Sequence, residues 1–283
     1  MGTLSYAGIY GSLVLVMIPS IILHMTDGTW INAFDTSLKA QIFRSLFILT
    51  LLPGISSAIE FVKRGKGTPI PFDPPKKMVT SGLYSYVANP MQMSCFLSYI
   101  FLGSLLENYW VCLGSLAGWS WSMGVALINE KSDMKSRFGD KWTNYRSHVK
   151  NWLPRKGPVP ISFADSDIKT PTVYISETCG KCNKLGKWIK SLNVVNLKIV
   201  AAENHPSKDL MRLTYDPCDG SGDEDGVAGL MRALEHVNFS YALVSSVVRI
   251  PGIIHLVQLI VDVVGGGPRL ISRQGNKCRI DVL

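Results

Sequence analysis

Histidine is scarce in this chain of 283 residues, and only two of its six cysteines lie close together in the sequence. The pair is Cys179-Gly180-Lys181-Cys182, and no second CxxC or His pair stands at the spacing of a zinc site, so we expect no bound metal. The other cysteines are scattered, which excludes the disulfide framework of a small secreted domain. The first hydrophobic run lacks an early basic cluster and a cleavage site, which favours a retained membrane segment over a signal peptide.

Charged residues make up only 18% of the sequence, and two segments hold most of the excess positive charge. Residues 62–90 contain five Lys or Arg and one acidic residue, while residues 129–156 contain eight and three. Because both segments adjoin hydrophobic runs, the positive-inside rule predicts that both lie on the cytosolic face of a membrane. We therefore expect a lipid bilayer as a partner and no nucleic acid, and the sequence leaves the oligomeric state open.

Hydrophobic runs in the first half predict an α-helical, multi-pass integral membrane domain of about four spans. A helix needs about 20 apolar residues to cross the hydrocarbon core, so the third run is short and must extend into the preceding loop or pair with the fourth as a hairpin. The four runs are Leu4–Met25, Gln41–Val62, Met91–Leu106 and Tyr109–Asn129.

The composition changes after Pro154, which predicts a membrane domain over residues 1–155, a linker over 156–171 and a second domain over 172–283. A β-branched run before the CxxC pair and helical patterns after it predict a small cytosolic α/β domain. Residues 239–264 are apolar but are interrupted at Arg249-Ile250-Pro251-Gly252. We expect two helices there that are buried or lie on the membrane surface, with a fifth span as the alternative.

A Gly/Pro-rich, basic segment lies between the second and third hydrophobic runs, at residues 65–75. Its prolines fix φ and lack an N–H, so the segment predicts a rigid, extended loop and no helix or central strand. Such a loop over membrane helices suits the binding of a polar cofactor beside a lipid-borne substrate.

Two further blocks follow this loop in order. The first is Met78-Val79-Thr80-Ser81-Gly82-Leu83-Tyr84 with Asn89-Pro90, and the second is Glu130, Phe138-Gly139, Trp142, Tyr145, Val149 and Leu153-Pro154. Together the three blocks, within residues 40–155, resemble the isoprenylcysteine carboxyl methyltransferase-like integral membrane methyltransferases. The resemblance implies that S-adenosylmethionine binds between the cytosolic loop and the segment after the last span. It implies methyl transfer to a small or lipid-soluble acceptor that enters from the bilayer.

The resemblance also implies a set of cofactor-binding residues and no particular catalytic residue. An aromatic face at Tyr84 attracts a sulfonium or stacks on adenine, and the Glu130 carboxylate accepts hydrogen bonds from an ammonium group or a ribose. Methyl transfer depends on alignment and desolvation more than on acid–base groups. The candidate cofactor-binding residues are Lys77, Met78, Val79, Tyr84, Asn89, Pro90, Gln92 and Glu130.

Three positions depart from the family pattern. Ala88 stands where the relatives have arginine, Gln92 where they have tyrosine, and Lys131 where they have a second glutamate. An inactive, scaffold-like relative is therefore an alternative. Taken singly, Tyr84 also fits an interfacial anchor, and Asn89-Pro90 also fits the start of a helix.

Cys179 and Cys182 are the candidate redox residues. The pair follows a β-branched run and opens a helical stretch, where the helix N-terminus stabilises a thiolate. Residues 172–270 resemble the thioredoxin-like thiol-disulfide oxidoreductases marked by Asp-x-x-Cys-x-x-Cys, with Ser176 in place of the aspartate. This resemblance implies a membrane-tethered thiol-disulfide oxidoreductase as the alternative function. A helix cap with two buried cysteines is the structural alternative.

Overall fold

The computed structural model describes residues 12–67, 75–121, 127–159 and 169–273, with side chains described for all of these except residues 121–130. The chain divides into two compact units, one of residues 1–146 with 151–153 and one of residues 147–150 with 154–283. Most of the predicted linker, residues 160–168, lies outside the described residues. The two units are described separately below as the helical unit and the α/β unit.

Helices form the helical unit. They are α1 Leu13–Met25, α2 Leu38–Gly65, α3 Pro90–Leu105, α4 Tyr109–Trp121 and α5 Leu127–His148. α1 begins as a π-helical turn at Leu13–Met17 and continues as a regular helix from Ile18. α3 packs against both α2 and α4, so the central contacts join helices that follow one another in the chain.

Within the described residues, one single helix is long and apolar enough to span a membrane, namely α2, with a mean hydropathy of 1.8. Only 17% of its most apolar window is buried inside the protein, so most of that surface faces outward. α3 has 16 residues and α4 has 13, which is shorter than the hydrocarbon core requires. Residues 1–11 and 122–126, which belong to the first and fourth predicted runs, lie outside the described residues. The structure thus shows one candidate span where the sequence predicts about four.

The close approach of α2 and α3 depends on small residues around Pro53. Proline removes a helical N–H and frees a carbonyl in the turn before it. The Ser94 hydroxyl of α3 inserts into the next helical hydrogen bond: it donates to the Thr50 carbonyl and accepts from the Gly54 N–H at 2.9 Å. A side chain at Gly54 would meet the Ser94 Oγ at 2.7 Å, so the contact requires glycine.

The α/β unit contains a small mixed sheet with strand order β2-β1-β3-β4. β1 pairs parallel with β2 and antiparallel with β3, and β4 is antiparallel to β3. The strands are β1 Thr172–Ile175, β2 Lys198–Ala201, β3 Thr214–Asp216 and β4 Glu224–Asp225. The helices are α6 Gly180–Ser191, α7 Gly226–Leu234, α8 Phe239–Val248 and α9 Ile253–Val261, followed by a π-helical turn at Asp262–Gly266.

Both faces of β1 are buried. Val173 and Ile175 pack with Ile189 of α6 and Ala233 of α7, while Tyr174 points to the other face and packs with Leu210 and Ala202. β1 therefore occupies the centre of the unit and leads directly into the CxxC pair.

Four charged side chains form a buried ring that connects β4, α7 and α8. Arg232 donates to Glu224 at 2.9 Å and to Glu235 at 2.9 Å, and Arg249 donates to Glu235 at 2.6 Å and to Glu224 at 3.3 Å. Each guanidinium therefore contacts both carboxylates, which compensates for the loss of hydration. Arg249 also marks the break between α8 and α9, which are bent by 95° where the sequence predicts a joint.

Candidate functional site

A cavity in the helical unit brings together segments that are far apart in the sequence. Its enclosed volume is about 50 Å³. Residues from α2, from the segment between α2 and α3, from α5 and from the segment after α5 form its wall. They are Phe61, Pro75, Met78, Val79, Tyr84, Ala88, Asn89, Lys131, Met134, Trp142, Tyr145, Arg146 and Asn151.

Hydrogen bonds across the segments hold this wall together. The Tyr145 hydroxyl donates to the Tyr84 carbonyl at 2.6 Å, and the Asn89 N–H donates to the Asn151 carbonyl at 3.3 Å. The ring of Tyr84 lies 5.8 Å from that of Phe61, which belongs to α2. These three contacts fix Tyr84 and Asn89 against α2, α5 and the segment after α5.

A buried carboxylate on α2 anchors the turn that carries Tyr84. Glu60 is 5% exposed, accepts a hydrogen bond from the Ser81 hydroxyl and lies 3.7 Å from the Arg64 guanidinium. Gly82 follows with φ near +60°, a conformation that favours glycine. Sequence reasoning missed Glu60, although an acidic residue inside a hydrophobic run is a signal of function or of a specific contact.

Gly139 explains why the Phe138-Gly139 block matters for the cavity. Its φ of 55° and ψ of −127° break α5 into two segments, and residues other than glycine avoid this conformation. Lys131 and Met134 line the cavity from the first segment, and Trp142 and Tyr145 line it from the second.

The predicted cofactor-binding residues divide into two groups. Met78, Val79, Tyr84 and Asn89 line the cavity, as do Ala88 and Lys131, at which the chain departs from the family pattern. Lys77, Pro90 and Gln92 do not line the cavity, and the side chain of Glu130 lies outside the described residues.

Each residue that lies away from the cavity has its own environment. Lys77 is exposed, and its N–H donates to the Gly65 carbonyl at 3.1 Å. Pro90 is buried at the start of α3, where its missing N–H is not needed. The Oε1 atom of Gln92 is buried and has no hydrogen-bond partner among the described residues.

The lining of the cavity suits part of S-adenosylmethionine in chemistry, but its volume is too small for the whole cofactor. Aromatic rings and amide groups suit a cationic nucleoside. Ligand sites of drug size occupy roughly 300–1,000 Å³, whereas the volume enclosed by the described residues is about 50 Å³.

The CxxC pair lies at the N-terminus of α6 in the α/β unit. Cys179 is the N-cap, its Sγ accepts from the Cys182 N–H at 3.4 Å, and the two Sγ atoms are 2.8 Å apart. Hydrogen bonds from the Cys182 thiol and N–H lower the pKa of Cys179, and the charge of Arg269 acts in the same direction. Burial raises the pKa of Cys182 to about 11, and the hydrogen bond to Cys179 adds to this shift. The pKa values of the two thiols are therefore shifted in opposite directions.

Glu203, which follows β2, holds the loop that leads into the CxxC pair. Its carboxylate accepts hydrogen bonds from the Ser176 hydroxyl at 2.7 Å, from the Thr178 hydroxyl at 2.8 Å and from the N–H groups of Glu177 and Thr178. Burial opposes ionisation, but the hydrogen bonds from Ser176, its own backbone and Thr178 outweigh it and lower the pKa of Glu203 to about 2. Sequence reasoning did not find this residue.

Ser176 links this carboxylate to the redox pair. Its hydroxyl donates to Glu203 and accepts from the Cys179 N–H at 3.3 Å. The serine hydroxyl therefore connects the Glu203 carboxylate to the backbone N–H of Cys179.

No family model, no curated protein and no solved structure matches this chain. Among the described residues, no group of three or more His, Cys, Asp or Glu side chains is arranged to hold a metal ion. A function for the cavity and for the CxxC pair must therefore be argued from the residues of each site.

Proposed function

We propose that the helical unit is an S-adenosylmethionine-dependent methyltransferase of the isoprenylcysteine carboxyl methyltransferase-like class. The observation that carries this proposal is the convergence of distant blocks: Met78, Tyr84 and Asn89 line the same cavity as Trp142 and Tyr145. The resemblance in the motifs predicts that these residues lie close together, whereas the pattern of hydrophobic runs does not predict it.

In this scheme the residues of the chain bind and orient the cofactor. Tyr84 and Trp142 present aromatic faces to the sulfonium or the adenine, and Asn89 offers an amide. Glu130, as the resemblance implies, supplies a carboxylate for the ammonium group or the ribose, whereas Gln92 does not line the cavity and is given no direct contact in this scheme. When bound, the cofactor supplies an electrophilic methyl group. A buried wall that excludes water favours its transfer to a small or lipid-soluble acceptor.

We further propose that α1, α3 and α4 join α2 as about four membrane spans, with both basic segments and the α/β unit on the cytosolic side. α1 and α4 expose apolar side chains that suit lipid contact, among them Val16, Ile21, Leu113 and Leu116. Protease added to the cytosolic side of reconstituted vesicles should cut near residues 66–77 and within the α/β unit. Protection of either region would contradict this topology.

Calorimetric titration of the purified chain with S-adenosylmethionine tests the methyltransferase proposal. We expect saturable binding by the wild type and weaker binding by Tyr84→Ala and Glu130→Ala. Tyr109→Ala is the matched control, because this exposed tyrosine lies in the same unit but does not line the cavity. Absence of binding by the wild type would leave an inactive, scaffold-like relative.

A second function is favoured by the CxxC geometry. We propose that the α/β unit is a thioredoxin-like thiol-disulfide oxidoreductase tethered to the membrane. A helix with the cysteine pair at its N-terminus connects the parallel strands β1 and β2, and the antiparallel strands β3 and β4 extend the sheet. The opposite pKa shifts of Cys179 and Cys182 support the division into an attacking and a resolving thiol.

The exchange reaction balances as a two-electron reduction of the substrate. The Cys179 thiolate attacks one sulfur of a substrate disulfide, forms a mixed disulfide and releases the other sulfur as a thiolate. The Cys182 thiol loses its proton and attacks the Cys179 sulfur. The Cys179–Cys182 disulfide forms, and the substrate leaves with both its sulfurs reduced.

Trapping tests this second function. Cys182→Ser should accumulate a mixed disulfide at Cys179, whereas Cys218→Ser should not, because Cys218 is remote from the pair in the sequence and burial raises its pKa. Slow alkylation of Cys179 with an ordinary thiol pKa would contradict the redox proposal.

A further inference from the structure

One helix of the α/β unit, α9, exposes its apolar side chains at the surface. Five apolar side chains of α9 and of the turn after it are each more than half exposed: Leu256, Leu259, Ile260, Val263 and Val264. Their spacing of three and four residues places them on one side of the helix. We call these five residues the α9 face.

Two polar residues of this segment, Gln258 and Asp262, bond within the unit, while His255 is exposed. Gln258 accepts from the Val227 N–H at 2.8 Å and donates to Asp262 at 2.7 Å. Asp262 in turn forms a two-bond ion pair with Arg212, with one N–O distance of 2.8 Å. These bonds fix the rotation of α9, so the apolar residues cannot turn inward. The α9 face therefore requires an apolar partner outside the unit.

The helix is too short and too strongly bent to cross a bilayer. Residues 253–266 span roughly 21 Å at 1.5 Å per residue, and the hydrocarbon core is about 30 Å thick. The bend of 95° precedes them, and Arg249 at the bend belongs to the buried charge ring. A continuous span over α8 and α9 would place that ring in the hydrocarbon. A helix with one apolar face that lies in the plane of the membrane interface meets none of these obstacles.

Basic side chains border the α9 face. A side chain at Gly265 would meet the Lys181 Nζ at 3.0 Å, so the ammonium group of Lys181 lies beside the turn after α9. Arg269 follows this turn and is exposed. Cationic groups around an apolar face complement the anionic headgroups of a bilayer better than they complement an apolar protein surface.

From this combination we propose that the α9 face inserts into the interface of a bilayer that contains anionic lipid. Lys181 and Arg269 contact the headgroups, and the Cys179 thiol lies at the membrane surface, where lipid-soluble or membrane-bound disulfides are within reach. α2 supplies the chain with a candidate span, which would hold the α/β unit near a bilayer. Docking of the α9 face depends on neither proposed activity.

A spin label tests the docking in the full chain. The six native cysteines are replaced by serine, and a nitroxide is attached to Val263→Cys or, as a control on the acidic turn before β4, to Ser221→Cys. Both positions are exposed in the unit. The chain is reconstituted in vesicles of phosphatidylcholine and phosphatidylserine. The accessibility of each label to oxygen and to a water-soluble nickel chelate is then measured.

We expect the oxygen-to-nickel ratio at Val263→Cys to exceed that at Ser221→Cys several-fold, because oxygen concentrates in the bilayer. Adding Leu259→Glu and Ile260→Glu should return the ratio at position 263 to that of the control, and both positions are exposed enough to accept these changes without unfolding. Vesicles of phosphatidylcholine alone should give a lower ratio, and an unchanged ratio would overturn the assignment to anionic headgroups. High access of both reagents would show that water covers the α9 face. Low access of both would show that protein covers it, and either result overturns the docking.

Discussion

Glu203→Gln is the substitution whose effect on the α/β unit can be worked out most fully. The amide has the same shape, but it has one acceptor oxygen instead of two, and its NH₂ group faces a backbone N–H. The lowered pKa of Glu203, about 2 against the ordinary 4.5, measures how strongly the folded unit prefers the ionised form. At 1.36 kcal/mol for each unit of pKa, this preference is worth about 3 kcal/mol in the free energy of unfolding.

The sign of the pH dependence follows from the direction of this shift. Because the folded pKa is depressed, the stabilisation is fully present above about pH 4.5 and is lost as the pH falls toward 2. Glu203→Gln should therefore lower the free energy of unfolding by about 3 kcal/mol at neutral pH and by progressively less in acid. It should also loosen the loop before Cys179, because Ser176 loses its partner.

Hydrogen exchange of the β1 amides in the full chain measures this free energy between pH 3 and 7. Glu177→Gln is the matched control, since this glutamate is exposed and belongs to the same loop. An equal loss for both variants, or a loss for Glu203→Gln that does not change with pH, would refute the reasoning.

Three further outcomes are expected. Gly139→Ala should cost about 1–3 kcal/mol through strain at its positive φ and weaken S-adenosylmethionine binding, and thermal unfolding with and without the cofactor would measure both effects. In a pH series of iodoacetamide labelling, Cys179 should react at lower pH than a free thiol while Cys182 stays unreactive at neutral pH, and equal profiles would contradict the pKa directions. Arg249→Met should destabilise the α/β unit by about 3–5 kcal/mol, because it leaves the Glu235 carboxylate buried beside one guanidinium, and the double change with Glu235→Leu should cost less in the same exchange measurement.

Local patterns in the sequence predict the elements around the CxxC pair well. β1, the helix after it, β2 and the joint at residues 249–252 all occur where periodicity and proline place them. α6 begins at Gly180 with Cys179 as its N-cap, so the pair opens the helix as the sequence pattern predicts.

Long-range contacts account for most of what the sequence did not show. Glu203 is 27 residues from Ser176, and Glu60 is 21 residues from Ser81, so no local pattern connects either pair. β3 and β4 contain three and two residues, which is too short for a period-2 pattern to appear. The motifs predicted Met78, Val79, Tyr84 and Asn89 of the cavity, whereas Phe61, Met134, Arg146 and Asn151 were not predicted.

Photochemical labelling with methyl-labelled S-adenosylmethionine tests the central claim most directly. The full chain in membranes is irradiated with the cofactor, with excess unlabelled cofactor as a competitor, and its peptides are then mapped. Label that the competitor removes should appear on the peptides that contain Tyr84 or Trp142, which line the cavity. No specific label, or label confined to residues 169–273, would contradict a methyl-donor site in the helical unit.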